Sequence, residues 1–224
     1  GPAKAVTNFD WGLIWATNKK YIDPIAPRHT TIFNKNVVKT TVTGGPAAPY
    51  SEEKPRHVKN AAVGMKKVVY SSSIILEQED VKLFKPDEEI TLMNWGNAIV
   101  RKVTTNEAGL ITDLELELHM AGDVKKTEKK VTWLATEGQD LVPVELVDFD
   151  HLLTKDSLQE DDVLEDYLNK HTEFREEGMA DCNVADLKES DIIQFDRKGY
   201  YRLDRAYAPG KPAVFFNIPS GKTK

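Results

Sequence analysis

Gln194-Phe195-Asp196-Arg197-Lys198-Gly199-Tyr200-Tyr201-Arg202-Leu203-Asp204 reads as a β-hairpin. Ile193 and Phe195 alternate with polar residues, Lys198-Gly199 supplies a two-residue turn, and Tyr201 and Leu203 alternate on the return. Planar donors (Gln194 and Arg197), a basic turn and two tyrosines crowd together here. That chemistry holds an unstacked nucleic-acid base by its edge and its face. The same pattern suits a plain barrel hairpin, so the rest of the chain must decide.

Working outward, the pattern stays β. Strands are predicted over 191–197, 200–204 and 213–218, the last two joined through Ala208-Pro209-Gly210-Lys211-Pro212. Upstream, Ile90 to Asn97 begins a strand and breaks at a turn, and Ile99 to Thr105 continues it. Ile111 to Met120 alternates, with Leu114, Leu116, Leu118 and Met120 on one side and Glu115, Glu117 and His119 on the other. Val131 to Ala135, Pro143 to Phe149 and the β-branched run Thr31 to Val42 add further strands. Many short strands with few long helices predict a mainly β protein built as small β-barrels, with length enough for two. No internal repeat is legible by eye.

Two helices interrupt this pattern. Residues 7–22 place Trp11, Ile14, Trp15 and Ile22 at helical spacing behind a Thr7-x-x-Asp10 capping box, and Pro24 and Pro27 end the run. Ser157-x-x-Glu160 opens a second, with Val163, Leu164, Tyr167 and Leu168 as its apolar stripe. Gly1-Pro2 reads as the scar of a cleaved tag.

The 224 residues carry a net charge of −6, which by itself disfavours a polyanionic partner. The charge is unevenly spread, however. Between Asp148 and Glu189 stand fourteen acidic residues against four basic ones, which leaves the remainder near +4. Lys54, Arg56, His57, Lys59, Lys66 and Lys67 form a basic stretch suited to positioning phosphates. The acidic segment alternatively suits a protein-interaction module that docks a basic partner.

Catalytic chemistry is sparse. There is no Walker loop and no dinucleotide fingerprint. His29, His57, His119, His151 and His171 lack metal-ligand spacing, so no metal is expected. Cys182 is alone, without a nearby His, which excludes a disulfide framework and fits a reducing compartment. No run approaches the ~18 apolar residues of a membrane span, and no membrane partner is expected. A self-contained barrel enzyme is therefore the weakest reading.

Four segments in register carry a family resemblance. Asp10-Trp11, Trp15 and Asn18-Lys19-Lys20-Tyr21-Ile22-Asp23-Pro24-Ile25-Ala26-Pro27-Arg28 resemble the segment after the catalytic domain of eukaryotic cytosolic glutamyl-tRNA synthetases. Asn94-Trp95-Gly96-Asn97, Lys130-Val131-Thr132-Trp133-Leu134-Ala135 and Gln194 to Tyr201 match the same family in the same order. Glutaminyl-tRNA synthetases share the last motif and the general layout, and the Ile-Asp-Pro-Ile-Ala-Pro-Arg and Asn-Trp-Gly-Asn segments favour the glutamyl branch over that alternative.

The resemblance implies two β-barrels that grip a tRNA anticodon. It divides the chain into a scar (1–2), a helical segment linking to a catalytic domain (3–30), a first barrel region (31–147) and a second (148–224). The final strands have the option of returning to the first barrel. The implied parent enzyme is cytoplasmic and joins glutamate to its tRNA using ATP with magnesium, with other protein partners possible. Its ATP-binding signatures are absent from this chain, so the chain itself is expected to be inactive and free of cofactor.

The resemblance also implies site residues. Gln194 and Arg197 correspond to a pair that contacts the central anticodon uridine in the glutaminyl relatives, and Asn94 to a base-contacting asparagine. Lys66 stands where those relatives have arginine, and an ammonium cannot make a planar fork. Lys126, Lys129 and Lys130 fall in a loop of basic anticodon contacts. Strand alternation puts Gln194 and Arg197 on opposite faces, so an irregularity is expected at Asp196-Arg197-Lys198.

Overall fold

The computed structural model describes residues 19–148 and 174–219. Apart from a helical end at 19–22, both expected helices lie outside that range, as do Gly1-Pro2, His151, His171 and most of the acidic segment.

The strands follow in chain order: β1 (Arg28–His29), β2 (Thr31–Phe33), β3 (Val38–Thr43), β4 (Tyr50–Pro55), β5 (Met65–Tyr70) and β6 (Ser73–Leu76). After a helical turn, α1 (Gln78–Val81), come β7 (Glu89–Leu92), β8 (Gly96–Thr105), β9 (Ile111–His119), β10 (Lys130–Val131) and β11 (Leu134–Ala135). The last group is β12 (Val142–Asp148), β13 (Phe174–Ala180), β14 (Ile192–Phe195), β15 (Gly199–Arg205) and β16 (Ala213–Ile218).

These strands form two curled sheets and one ribbon. The first sheet runs β10-β7-β8-β9-β3-β6-β11, the second β1-β14-β15-β16-β12-β13-β2, and β4-β5 stand apart as a pair. The edges of each sheet are two ends of one bent strand. In the first, Lys130 pairs in parallel with Thr91, and four residues on Leu134 pairs antiparallel with Ile75. In the second, Arg28 pairs in parallel with Gln194, and Ile32 pairs antiparallel with Met179. One bent strand thus joins both edges of its sheet and curls it into a barrel, which removes the exposed edges.

Read across, both sheets show the same succession of pairings: parallel, antiparallel, antiparallel, parallel, antiparallel, antiparallel. The barrels are a topological repeat, invisible in the residues. Their bent strands are exchanged: 28–33 precedes the first barrel but closes the second, while 130–135 precedes most of the second but closes the first. Strand pairing therefore changes sheet between Ala135 and Val142, and residues 28–33 join the second sheet. The final strand β16 stays in that sheet, between β12 and β15.

Alternation decides which side chains fill each barrel. Val38, Thr40 and Val42 point inward from β3, and Leu114 and Leu116 from β9. Met120, expected to continue the β9 stripe, lies beyond the strand end and is exposed. Ile90, Leu92, Val100, Leu116 and Trp133 belong to the first core. The second is built on Phe195, whose ring meets Tyr201 and Phe215 edge-on at centroid distances of 5.4 and 5.0 Å. A third cluster joins the barrels: Ile32 from one bent strand, Leu134 from the other, and Ile75 from β6.

The opening hairpin differs from its expected form. Phe195 pairs with Gly199, leaving Asp196-Arg197-Lys198 as a three-residue loop in place of a two-residue Lys198-Gly199 turn. The irregularity is Arg197, in the left-handed region at φ +67°. A left-handed residue in a three-residue loop lets the strands keep their twist. The corresponding hairpin of the first barrel repeats this: Leu92 pairs with Gly96 around Met93-Asn94-Trp95, and Asn94 has φ +63°.

Candidate nucleic-acid interface

The Asn94 loop lines a cleft between the barrels, and the Arg197 loop meets that cleft's wall at Thr132. Lys66, Lys67, Asn94, Thr132, Asp181 and Asn183 are among its lining residues. Beneath it lies an aromatic floor in which Trp95 and Trp133 have ring centroids 4.8 Å apart, and Tyr70 lies 5.3 and 5.5 Å from them. This floor fixes the Asn94 loop. The Tyr70 hydroxyl donates to the Asn94 carbonyl at 2.7 Å, and Trp133 Nε1–H donates to the Met93 carbonyl at 2.8 Å. Burial pushes the Tyr70 phenol up to about 12, so it stays a donor. The Asn94 side chain itself is exposed, and it stands at the cleft.

Lys66 is more confined than the sequence suggested. It is 6% exposed, and its ammonium donates to the Arg28 carbonyl at 2.7 Å. It lies in the field of Asp181 and Asp196, so it supplies positive charge from inside the wall of the cleft.

Asp181 ties that wall together. Its Oδ2 accepts from the Thr30 N–H at 2.8 Å, and its Oδ1 accepts from Asn183 Nδ2 at 2.9 Å. The same Oδ1 is 3.2 Å from Nδ1 of His29, whose ring is fully buried. Asn183 then clasps β5 by donating to the Lys67 carbonyl and accepting from its N–H, at 2.8 and 2.9 Å. Burial alone raises the Asp181 carboxyl. His29, Lys66 and the Thr30 N–H more than reverse this and hold it well below the usual carboxylate range. Asp196 goes the other way, because burial outweighs the nearby Lys66 and Arg28 charges.

Arg197 and Lys198 both reach across to the first barrel. Arg197 Nη1 and Nη2 donate to the two carboxylate oxygens of Asp80 at 2.8 and 2.7 Å. Nη1 also lies 3.4 Å from Thr132 Oγ1 on the cleft wall. Lys198 pairs with Glu77, and its ammonium sits 4.6 Å over the Phe33 ring centroid.

Gln194 faces elsewhere. Its side chain meets the Tyr200 hydroxyl, which in turn donates to Asp23. The structure thus brings Asn94 and Lys66 to one cleft, sets Arg197 against Thr132 of its wall, and leaves Gln194 paired with Tyr200 outside it. The lysine loop is separate again. Lys129 donates to both oxygens of Glu88 at 2.7 Å, Lys130 donates to the Thr127 carbonyl, and Lys126 is exposed.

The residues missed from sequence are Asp80, Thr132, Asp181 and Asn183. All act through contacts between segments far apart in the chain. Cys182 gives no sign of a nucleophile, since burial pushes its thiol up.

Comparison with known proteins reproduces the exchanged repeat. Two family models, each described as "tRNA synthetases class I (E and Q), anti-codon binding domain", match residues 26–119 and 130–204. Each begins near a bent strand and runs into the barrel that the other bent strand closes. The chain belongs to this anticodon-binding family.

Its relatives include the "Probable glutamate--tRNA ligase, cytoplasmic" of Schizosaccharomyces pombe, 53% identical over 223 residues, and the "Glutamate--tRNA ligase, cytoplasmic" of Saccharomyces cerevisiae, 52% identical over 223. Both alignments cover 100% of this chain and 31% of the relative. The "Bifunctional glutamate/proline--tRNA ligase" of Mus musculus is 37% identical over 232 residues, which cover 15% of its length. The anticodon-binding chain thus spans about a third, or less, of these relatives.

Proposed function

We propose that this chain is the anticodon-reading part of a larger glutamate–tRNA ligase, and that its ligand is the anticodon loop of a glutamate tRNA. The observation that carries the reading is the meeting of Asn94 and Lys66 in one inter-barrel cleft, with Arg197 held against Thr132 of its wall. A single-stranded loop splays its bases, which planar donors then read by their edges. Asn94 offers both a donor and an acceptor, and Arg197 offers donors only. Lys66 supplies charge from the wall. Lys126, with Lys129 and Lys130 nearby, contributes attraction to phosphates.

The names of the relatives favour glutamate over glutamine as the amino acid and support a cytoplasmic location. Among the described residues, no helix is long and apolar enough to cross a membrane. ATP and magnesium belong to the remainder of the parent enzyme. The donor set of the cleft suits base edges, and among the described residues no three His, Cys, Asp or Glu side chains converge as metal ligands.

The test is titration of this chain with a glutamate tRNA at two salt concentrations, beside a copy whose central anticodon uridine is replaced. Weaker binding of the replaced copy, with a salt slope of several charges, supports the reading. Equal affinity for both RNAs overturns it.

A further inference from the structure

The Arg197 guanidinium is held by a residue of the other barrel. Asp80 stands on α1, and its two oxygens face Nη1 and Nη2 end-on. The carboxylate is the more enclosed partner, with a side-chain exposure of 15% against 39% for Arg197. Asp80 is therefore largely committed to this one contact, while the arginine keeps an open side.

A guanidinium carries five N–H donors in one plane. The fork to Asp80 takes one from each Nη, and the second hydrogen of Nη1 is turned toward Thr132 Oγ1. What remains is the edge formed by Nε–H and the outer hydrogen of Nη2, for which no described residue is an acceptor. Arg197 is also the residue at φ +67°, a conformation an arginine does not favour by itself. The surroundings must hold it there, and the Asp80 fork does so from outside the hairpin.

We propose that Asp80 is the positioning residue that makes Arg197 a base reader. It fixes the plane of the guanidinium and leaves one two-donor edge for paired acceptors on an unstacked nucleobase. Without Asp80, the side chain becomes a mobile charge that still attracts phosphate but no longer selects a base. The reader stands on one barrel and its holder on the other, so recognition requires both to be docked. This inference rests on the anticodon-reading function proposed above.

The test uses the full chain in four forms: unchanged, Arg197→Ala, Asp80→Asn and the double variant. Each is titrated with a glutamate anticodon stem-loop and with a copy whose central uridine is replaced. The readout is the ratio of the two affinities. Arg197→Ala is expected to abolish the ratio. Asp80→Asn should lower it by roughly tenfold, because a misaimed contact loses much of its discrimination. Affinity for the replaced RNA should stay within about twofold, since phosphate attraction does not depend on aim. The double variant should be no worse than Arg197→Ala. The Arg197 Nε–H signal should broaden or shift in Asp80→Asn while the rest of the amide spectrum is retained.

If Arg197→Ala leaves the ratio intact, Arg197 is not a reader and the positioning role of Asp80 falls with it, while anticodon reading stands on the ratio itself. Only a ratio of one in the unchanged chain overturns that function. If Arg197→Ala abolishes it and Asp80→Asn does not change it, the positioning role alone is overturned. Equal weakening of both RNAs by Asp80→Asn also overturns it, since that reports only a loosened fold.

Discussion

Asn94 and Arg197 hold the same place on corresponding hairpins. Each is the middle residue of a three-residue loop closed by a glycine, Gly96 or Gly199, and each lies in the left-handed region, at φ +63° and +67°. Asparagine adopts that conformation readily, and arginine does not. The first loop is pinned from below by Tyr70 and Trp133. The second is pinned from across the cleft by Asp80 and Glu77. The repeat thus presents a planar side chain twice, with each loop fastened by different chemistry.

Arg197→Asn separates backbone from readout. It places a residue at ease with positive φ in the loop but removes the guanidinium. Binding of the cognate stem-loop should weaken roughly ten- to a hundred-fold, as for loss of a base contact of about 1–3 kcal/mol. Stability should suffer less than in Arg197→Ala, which keeps the unfavourable φ. Thermal melts alongside titrations check this, and an unchanged affinity for the stem-loop would sink it.

The lysine loop should divide by partner. The resemblance placed Lys126, Lys129 and Lys130 alike among basic anticodon contacts, but the Lys129 ammonium is committed to both oxygens of Glu88, and both side chains are mostly enclosed. Lys126 is exposed. Lys126→Ala should therefore lower the salt slope of RNA binding by about 1. Lys129→Ala should leave the slope nearly unchanged and reduce stability, because it strands Glu88. A larger slope change from Lys129 would show that its ion pair opens on binding.

Acid stability should report on Asp181. Its folded carboxyl titrates below the ordinary value, so its contribution is full above about pH 3.9 and fades as the pH falls from there through the folded value. Asp181→Asn weakens the hydrogen bonds that the carboxylate accepts from the Thr30 N–H and Asn183 and should be destabilising by about 1–3 kcal/mol at neutral pH. The gap between the two proteins should narrow on acidification below about pH 4. Denaturant midpoints at a series of pH values test this. A constant gap would mean that Asp181 is not charged in the folded protein.

Much of this architecture was legible in the sequence because it rests on local patterns. The alternation in Ile111 to Leu118 and in Ile193 to Leu203 gives strands directly, and four motifs in register carried the family. The exchange of bent strands was not legible, since Thr31-Ile32-Phe33 carries no mark of pairing with Gly178 to Ala180, almost 150 residues away. The site followed the same division. Asn94 and Arg197 could be named from their motifs, whereas Asp80 is one acidic residue among many until the barrels dock. Lys66 read as part of a basic stretch that positions phosphates, yet it faces inward from a strand that lines the cleft.

Closure of the second barrel should depend on a single missing side chain. At Gly178, a Cβ would lie 2.9 Å from the Ile32 carbonyl oxygen and 2.9 Å from Thr31 Oγ1, both on β2. The first is backbone and cannot swing aside, and Gly178 sits directly opposite Phe33 in the ladder. Alanine would therefore push β2 away from β13, against the hydrogen bond from Thr31 Oγ1 to the Met179 carbonyl. Gly178→Ala should be destabilising by about 1–3 kcal/mol, as overpacking is in other well-packed interiors. Because β2 continues into β1, which pairs with the Arg197 hairpin, the effect should spread to RNA binding. Amide exchange would show the order of events: protection should fall first at Thr31 to Phe33 and then at Gln194 and Asp196, whose N–H groups donate to Pro27 and His29. The first barrel closes on its own bent strand, so its protection should stay as in the unchanged protein. Equal loss in both barrels would mean that they unfold as one unit and that the closing strand is not a local latch.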